Sequence, residues 1–198
     1  MKYYILQNRD MPWGDYGNTL FEGLLNPMDD DYNLVDIHKI ERTAPYIPEI
    51  YCANSTNIVI SQEVRNLFEK KNITGIEKYH DTKIIKLVNI DWQSWDFNSE
   101  DPKFYPETGE PIDYIEDGEN DEKLIAQTRE KYFSLDLKAH PRLSYKDEDR
   151  NIKFIDYIPG FDLFRAGKGY VIVSEKFKKI IDSENIDTLK FIEIQTTK

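Results

Sequence analysis

Ile58-Val59-Ile60-Ser61, followed by Val64, Leu67, Phe68, Asn72-Ile73 and Ile76, returns 113 positions later without a gap. The second copy reads Val171-Ile172-Val173-Ser174, Phe177, Ile180, Ile181, Asn185-Ile186 and Leu189. Only one Ser, one Asn and one Ile are identical, yet every apolar position stays apolar. Three consecutive β-branched residues bounded by polar ones predict a short buried strand. A serine placed directly after it accepts a hydrogen bond from the first free amides of a helix, so Ser61 and Ser174 are predicted N-caps. Glu63 and Glu175 put negative charge in the first turn, where the helix dipole favours it. Apolar residues at i, i+3 and i+4 make one inward stripe. Asn72 and Asn185 suit the left-handed position that closes a helix, and the isoleucine after each packs back on the last turn. Each copy therefore predicts strand, capped helix, strand, with the second strand at Ile76 to Tyr79 and at Leu189 to Ile194. Whether the two units share a sheet is open at this level.

Working outward, strands are predicted at Lys2 to Gln7, Leu34 to Ile40, Thr82 to Ile90, Ser134 to Lys138 and Ile152 to Ile158. Helices are predicted at Tyr16 to Leu25 and at Asp121 to Phe133, the latter with Leu124, Ile125, Thr128 and Tyr132 on one stripe. Ala44 to Ile50, with Pro45 and Pro48, reads as extended and irregular. Clustered strands without strict βαβ alternation indicate an α+β fold, with mixed or antiparallel sheets and two similar strand-helix-strand units. The 198 residues make one such domain, or two subdomains of about 1–99 and 123–198 joined by residues 100–122.

Those joining residues carry the charge. From Glu100 to Glu122 there are ten acids (Glu100, Asp101, Glu107, Glu110, Asp113, Glu116, Asp117, Glu119, Asp121, Glu122) against Lys103, which leaves −2 of the total −11 for the other 175 residues. Pro102, Pro106, Pro111, Gly109 and Gly118 interrupt regular structure, so the stretch reads as an exposed acidic excursion. It is either a solvated loop or a docking surface for a basic partner, because a local negative field speeds encounter and selects partner sign. Trp92 and Trp95, just before it, read as core for one and contact for the other. The overall charge disfavours broad binding to nucleic acid or membrane surfaces. One cysteine, Cys52, makes no internal disulfide and fits a reducing cytoplasm. No apolar run approaches the ~20 residues that cross a bilayer, and the N-terminus turns polar too soon for a signal peptide.

No catalytic motif stands out. Gly167 and Gly169 lack the spacing of a phosphate loop, and read instead as a hairpin-like turn before Val171. A calcium loop centred on Gly118 would have Ile115 and Leu124 where oxygen ligands are needed. His38, His80 and His140 have no second ligand at metal spacing, and nothing around Cys52 resembles a nucleophile turn. No cofactor is called for. An enzyme reading would draw on Asp29-Asp30-Asp31, Asp36, His38 or His80 converging in an acidic, metal-assisted pocket. A regulatory subunit of a permanent complex would instead expose a large apolar patch.

Tyr157-Ile158-Pro159-Gly160-Phe161-Asp162-Leu163-Phe164-Arg165, then Tyr170-Val171-Ile172-Val173-Ser174-Glu175-Lys176-Phe177, with Ile186 to Ile194 behind and a Tyr-rich strand opening the chain, resembles the myxobacterial-type immunity proteins of bacterial polymorphic toxin systems. The likeness covers roughly the last 45 residues, with Lys2 to Leu6 in support. It departs from that pattern at Asp187-Thr188, where a glycine turn is expected and where the first copy has Gly75. The resemblance implies a cytoplasmic, non-enzymatic protein that binds and neutralises a cognate protein toxin. An acidic surface fits the basic cleft of a nuclease toxin. On that reading the contact residues are Trp92, Trp95, Glu110, Asp113, Glu116, Asp117, Glu119, Asp121 and Glu122.

Overall fold

The computed structural model describes residues 2–29, 31–54, 57–128, 130–140, 144–145, 152–154, 160–166 and 169–196. Its strands are β1 (Tyr3–Asn8), β2 (Leu24–Met28), β3 (Leu34–Ala44), β4 (Ile50–Ala53), β5 (Asn57–Ser61), β6 (Ile76–Asn89), β7 (Tyr132–Leu137), β8 (Ala139–His140), β9 (Ser144–Tyr145), β10 (Ile152–Phe154), β11 (Leu163–Ala166), β12 (Tyr170–Ser174) and β13 (Leu189–Thr196). The helices are α1 (Asp15–Glu22), α2 (Gln62–Lys70), α3 (Asp113–Glu116), α4 (Glu122–Gln127) and α5 (Glu175–Ser183). The fold is α+β, with two mixed sheets. Among the described residues no helix is long and apolar enough to cross a membrane.

The repeat holds in atomic detail. Ser61 Oγ accepts from the Val64 amide, and Ser174 Oγ from the Phe177 amide, so both helices start on the expected caps. Asn72 and Asn185 sit at φ 51° and 58°, in the left-handed region that stops each helix. The copy also reaches further back than the apolar pattern suggests. Hairpin β4–β5 pairs Ile50 with Ile60 and Ala53 with Asn57, and β11–β12 pairs Leu163 with Val173 and Ala166 with Tyr170, the same register 113 residues on.

The two units lie in different sheets, ordered β2-β3-β6-β7-β5-β4 and β9-β10-β13-β1-β12-β11, with β8 added beyond β11. Position for position these orders correspond, and they expose an exchange. β1 opens the chain but lies between β12 and β13 of the second unit, while β7 opens the second half but lies between β5 and β6 of the first. Tyr3 pairs with Ser174 as Tyr132 pairs with Ser61. Each half lends its first strand to the centre of the other's sheet. A division at residues 100–122 therefore does not separate the sheets.

One core binds the halves. Ile58, Ile60, Phe133 and Leu135 of the first sheet, Tyr4, Leu6, Val171 and Val173 of the second, and the helix residues Phe68 and Phe177 form one cluster. The two phenylalanines meet edge-on, with centroids 5.3 Å apart. Gly75 allows close approach here, since a Cβ on it would lie 1.8 Å from the Leu163 carbonyl oxygen. Polar links add direction. Asn8, the last residue of β1, accepts from the Cys52 amide (2.7 Å) and donates to its carbonyl (2.8 Å), extending the ladder sideways onto β4. Asp162 accepts from Thr74 N and Oγ1 (both 3.1 Å), from Ser174 Oγ (2.9 Å) and from Lys176 Nζ (2.8 Å), tying the end of the first unit to the helix cap of the second.

Several sequence expectations change. The helix from Tyr16 stops at Glu22 and Leu24–Leu25 belong to β2, because Gly23 turns the chain at φ 68°. The strands expected at Ile76–Tyr79 and Thr82–Ile90 are one fourteen-residue strand, β6. The helix expected to Phe133 ends at Gln127, and Tyr132 and Phe133 open β7, whose backbone fills the gap between β5 and β6. Of the strand expected at Ile152 to Ile158, residues 155–158 lie outside the described residues, as do Gly167 and Lys168 of the expected turn.

Candidate functional site

The acidic excursion is not a free loop. Beyond β6 the chain makes a 3-10 turn at Trp92–Ser94, crosses the outer face of the first sheet, and returns through α3 to α4. Four side chains nail it down from below. Trp92 (0% exposed), Trp95 (9%), Tyr114 (7%) and Ile115 (0%) pack with Leu20, Phe21, Ile40 and Tyr51 in a second core. One tryptophan was expected in the core and one at the surface; both are buried. Trp92 donates its Nε1 proton to Thr43 Oγ1 (3.1 Å), and Trp95 is covered by Trp13 and Phe104.

Backbone tethers fix the rest. Ser99 O accepts from Trp13 Nε1 (3.0 Å), Gly109 O from the Tyr16 hydroxyl, and Glu116 O from Lys86 Nζ (2.7 Å). Asn120 accepts from the Leu87 amide (3.0 Å), and the Asp121 amide donates back to Leu87 O (2.7 Å). Gly118 is required because a Cβ there would stand 2.4 Å from Tyr114 O and 2.6 Å from Val88 Cγ1.

On this braced segment the acids point outward. Eight of the ten are exposed; Asp113 and Asp121 are half-buried. Those two have structural work, Asp113 accepting from Thr108 Oγ1 and Asp121 capping α4 through the amides of Lys123 and Leu124. Among the described residues, nine ion pairs join acids and bases of this chain, and none involves an acid of 100–122. Among the described residues no cation forms an ion pair with the acids of this face.

Large apolar groups stand among those acids: Phe97 (38% exposed), Phe104 (56%), Tyr105 (50%) and Ile112 (38%). Three rest on inner rings. Phe97 meets Trp13 edge-on at 5.6 Å, Phe104 meets Trp95 at 5.6 Å, and Tyr105 meets Tyr16 at 5.0 Å. The Tyr105 hydroxyl donates to Asp101 (2.5 Å), a bond that pushes its pKa up to about 12. Sequence reasoning missed these anchors. The available signal was Pro102-Lys103-Phe104-Tyr105-Pro106, two rings held between prolines that keep them out of any ladder.

The residues of the enzyme reading scatter in part. Asp29 sits in the β2–β3 turn, where its carboxylate is held below the usual range chiefly by the Asn33 amide; Asp31 is exposed there and Asp30 lies outside the described residues. Asp36 pairs with Lys78 (2.6 Å). His38 and His80 do meet, stacked at 4.4 Å across β3 and β6, nearly sealed from solvent. Ser134 Oγ lies 2.5 Å from His38 Nδ1, and Asp136 lies 2.8 Å from His80 Nε2. Burial, then His80, lowers the His38 pKa. This polar row lies across β3, β6 and β7, on strands whose backbones pair with each other. Among the described residues no group of three or more His, Cys, Asp or Glu is placed to hold a metal. Cys52 is buried, which pushes its thiol up to about 12 and keeps it protonated. No protein-family model matches the chain, and no curated protein matches it.

Proposed function

We propose that this chain is a non-catalytic recognition protein that captures a basic protein through the braced acidic face of residues 96–122, and that its partner is a cognate bacterial toxin. The observation that carries the reading is the set of exposed acids for which no ion partner is found among the described residues, on a segment anchored by buried aromatic side chains. A face of one sign steers an oppositely charged partner, and a segment already ordered loses little entropy when it docks. The resemblance to the myxobacterial-type immunity proteins supplies the biological setting: a cytoplasmic inhibitor in a polymorphic toxin system. The contact acids are Glu110, Glu116, Asp117, Glu119 and Glu122, with Asp113 and Asp121 holding the face in shape.

The test is co-expression with a toxin from a neighbouring gene, which this reading expects. The wild-type protein relieves toxicity, and Glu110→Lys/Asp117→Lys/Glu119→Lys, present at the same level, does not. With both proteins purified, the triple variant associates more slowly and with a flatter salt dependence. Equal protection by the variant, or no protection by either, overturns the reading.

A further inference from the structure

We infer that the exposed rings Phe104 and Tyr105 are the anchors of this face, and that they select arginine rather than lysine on the partner. The inference rests on the acidic docking face proposed above and adds to it the chemistry of the contact. Three observations lead there.

Phe104 and Tyr105 are the most exposed aromatic residues of the segment, next to each other in sequence and each standing on a buried or braced ring, Trp95 and Tyr16. Solvent-exposed rings that are already held in place offer contact area at low ordering cost. Glu100, Asp101, Glu107 and Glu110, all exposed on the same stretch of chain, add negative charge beside them, and Asp101 holds the Tyr105 hydroxyl. Exposed aromatic side chains among charged ones are the residue types in which binding energy concentrates. A cation suits both parts of it. The segment's own base already does so in miniature, Lys103 Nζ lying 5.3 Å from the Phe104 ring centre.

Arginine is the better occupant for a physical reason. Its guanidinium is planar and weakly hydrated, so it stacks on a ring while its edge N–H groups reach a carboxylate bidentately; an ammonium keeps its water and does one or the other. Internally the chain sets both kinds of cation over rings, Arg42 over Tyr51 at 4.8 Å and Arg65 over Tyr79 at 4.7 Å, Lys138 over Phe161 at 4.8 Å and Lys178 over Phe191 at 5.1 Å, so the preference rests on the guanidinium's shape and hydration.

The experiment measures binding of deca-arginine and deca-lysine peptides to the full chain at physiological ionic strength. The wild type prefers the arginine peptide by about tenfold, and Phe104→Ala/Tyr105→Ala weakens arginine binding more than lysine binding, so that the preference disappears. Phe104→Leu/Tyr105→Leu keeps apolar volume over Trp95 and Tyr16 without a π face, and loses the preference too. Equal binding of the two peptides, or a preference that survives both ring variants, overturns the inference and leaves the charge-based reading standing. Failure of both peptides to bind, or binding unaffected by Glu110→Lys/Asp117→Lys/Glu119→Lys, overturns the docking face itself.

Discussion

Replacing Asp162 with asparagine removes one charge and one acceptor from the point where the two halves are tied. The carboxylate accepts four hydrogen bonds, one of them from Lys176, and only 8% of the residue is exposed. Burial alone would raise its pKa, but the bonds from Lys176, Ser174 and Thr74 outweigh it and the net shift is downward. In Asp162→Asn the amide nitrogen faces donors on at least one side, so the Thr74 amide or the Lys176 ammonium loses its acceptor. A charged hydrogen bond contributes about 1.5–3 kcal/mol. Lys176 is half exposed, which weakens its share. The expected loss is therefore about 2 kcal/mol at pH 7, read as a lower urea midpoint with an unchanged slope. The sign with pH follows from the depressed folded value: this stability is present above the ordinary carboxylate pKa and is lost as pH falls through the folded one, so the gap between wild type and variant closes on acidification below about 4. Glu49 supplies an internal control. It stands 113 residues earlier, with its carbonyl accepting from Ser61 N as that of Asp162 accepts from Ser174 N. Burial and the neighbouring Glu130, Glu63 and Asp187 raise its pKa, so Glu49→Gln should cost nothing at pH 7. A loss below about 0.5 kcal/mol for Asp162→Asn, or one that is the same at pH 3 as at pH 7, would refute the argument.

Two further outcomes follow from the same geometry. Ser61→Ala should cost about 1 kcal/mol as a lost cap, and Ser174→Ala more, because Ser174 Oγ also donates to Asp162; urea denaturation giving the reverse order would contradict the assigned bonds. His38, with its pKa depressed by burial and by His80, makes the unfolded chain the better proton acceptor, so stability is full above about pH 6.5 and falls as pH drops through the folded value. His38→Gln should flatten that decline between pH 7.5 and 5.5, and an unchanged profile would remove His38 as its cause.

The candidate face was legible in the sequence as charge and illegible as shape. The ten acids between prolines and glycines stand where counting placed them. Burial of both Trp92 and Trp95 was not readable, because an aromatic residue before a loop serves equally as plug or as anchor, and the choice depended on Trp13, Phe21 and Tyr46, all remote in sequence. The same holds for Phe104 and Tyr105, whose exposure follows from Trp95 and Tyr16 occupying the layer beneath them.

The sequence by itself determined what short-range chemistry controls: strands of β-branched residues, helices opened by Ser61 and Ser174 and closed by Asn72 and Asn185, and their recurrence at one spacing. Tertiary structure alone decided where β1 and β7 go and that the helix from Asp121 stops at Gln127 to free Tyr132 for a strand. The physical reason is that a cap is satisfied by atoms three residues away, whereas a strand is satisfied by whichever edge is left unpaired, and here that edge belongs to the other half of the chain.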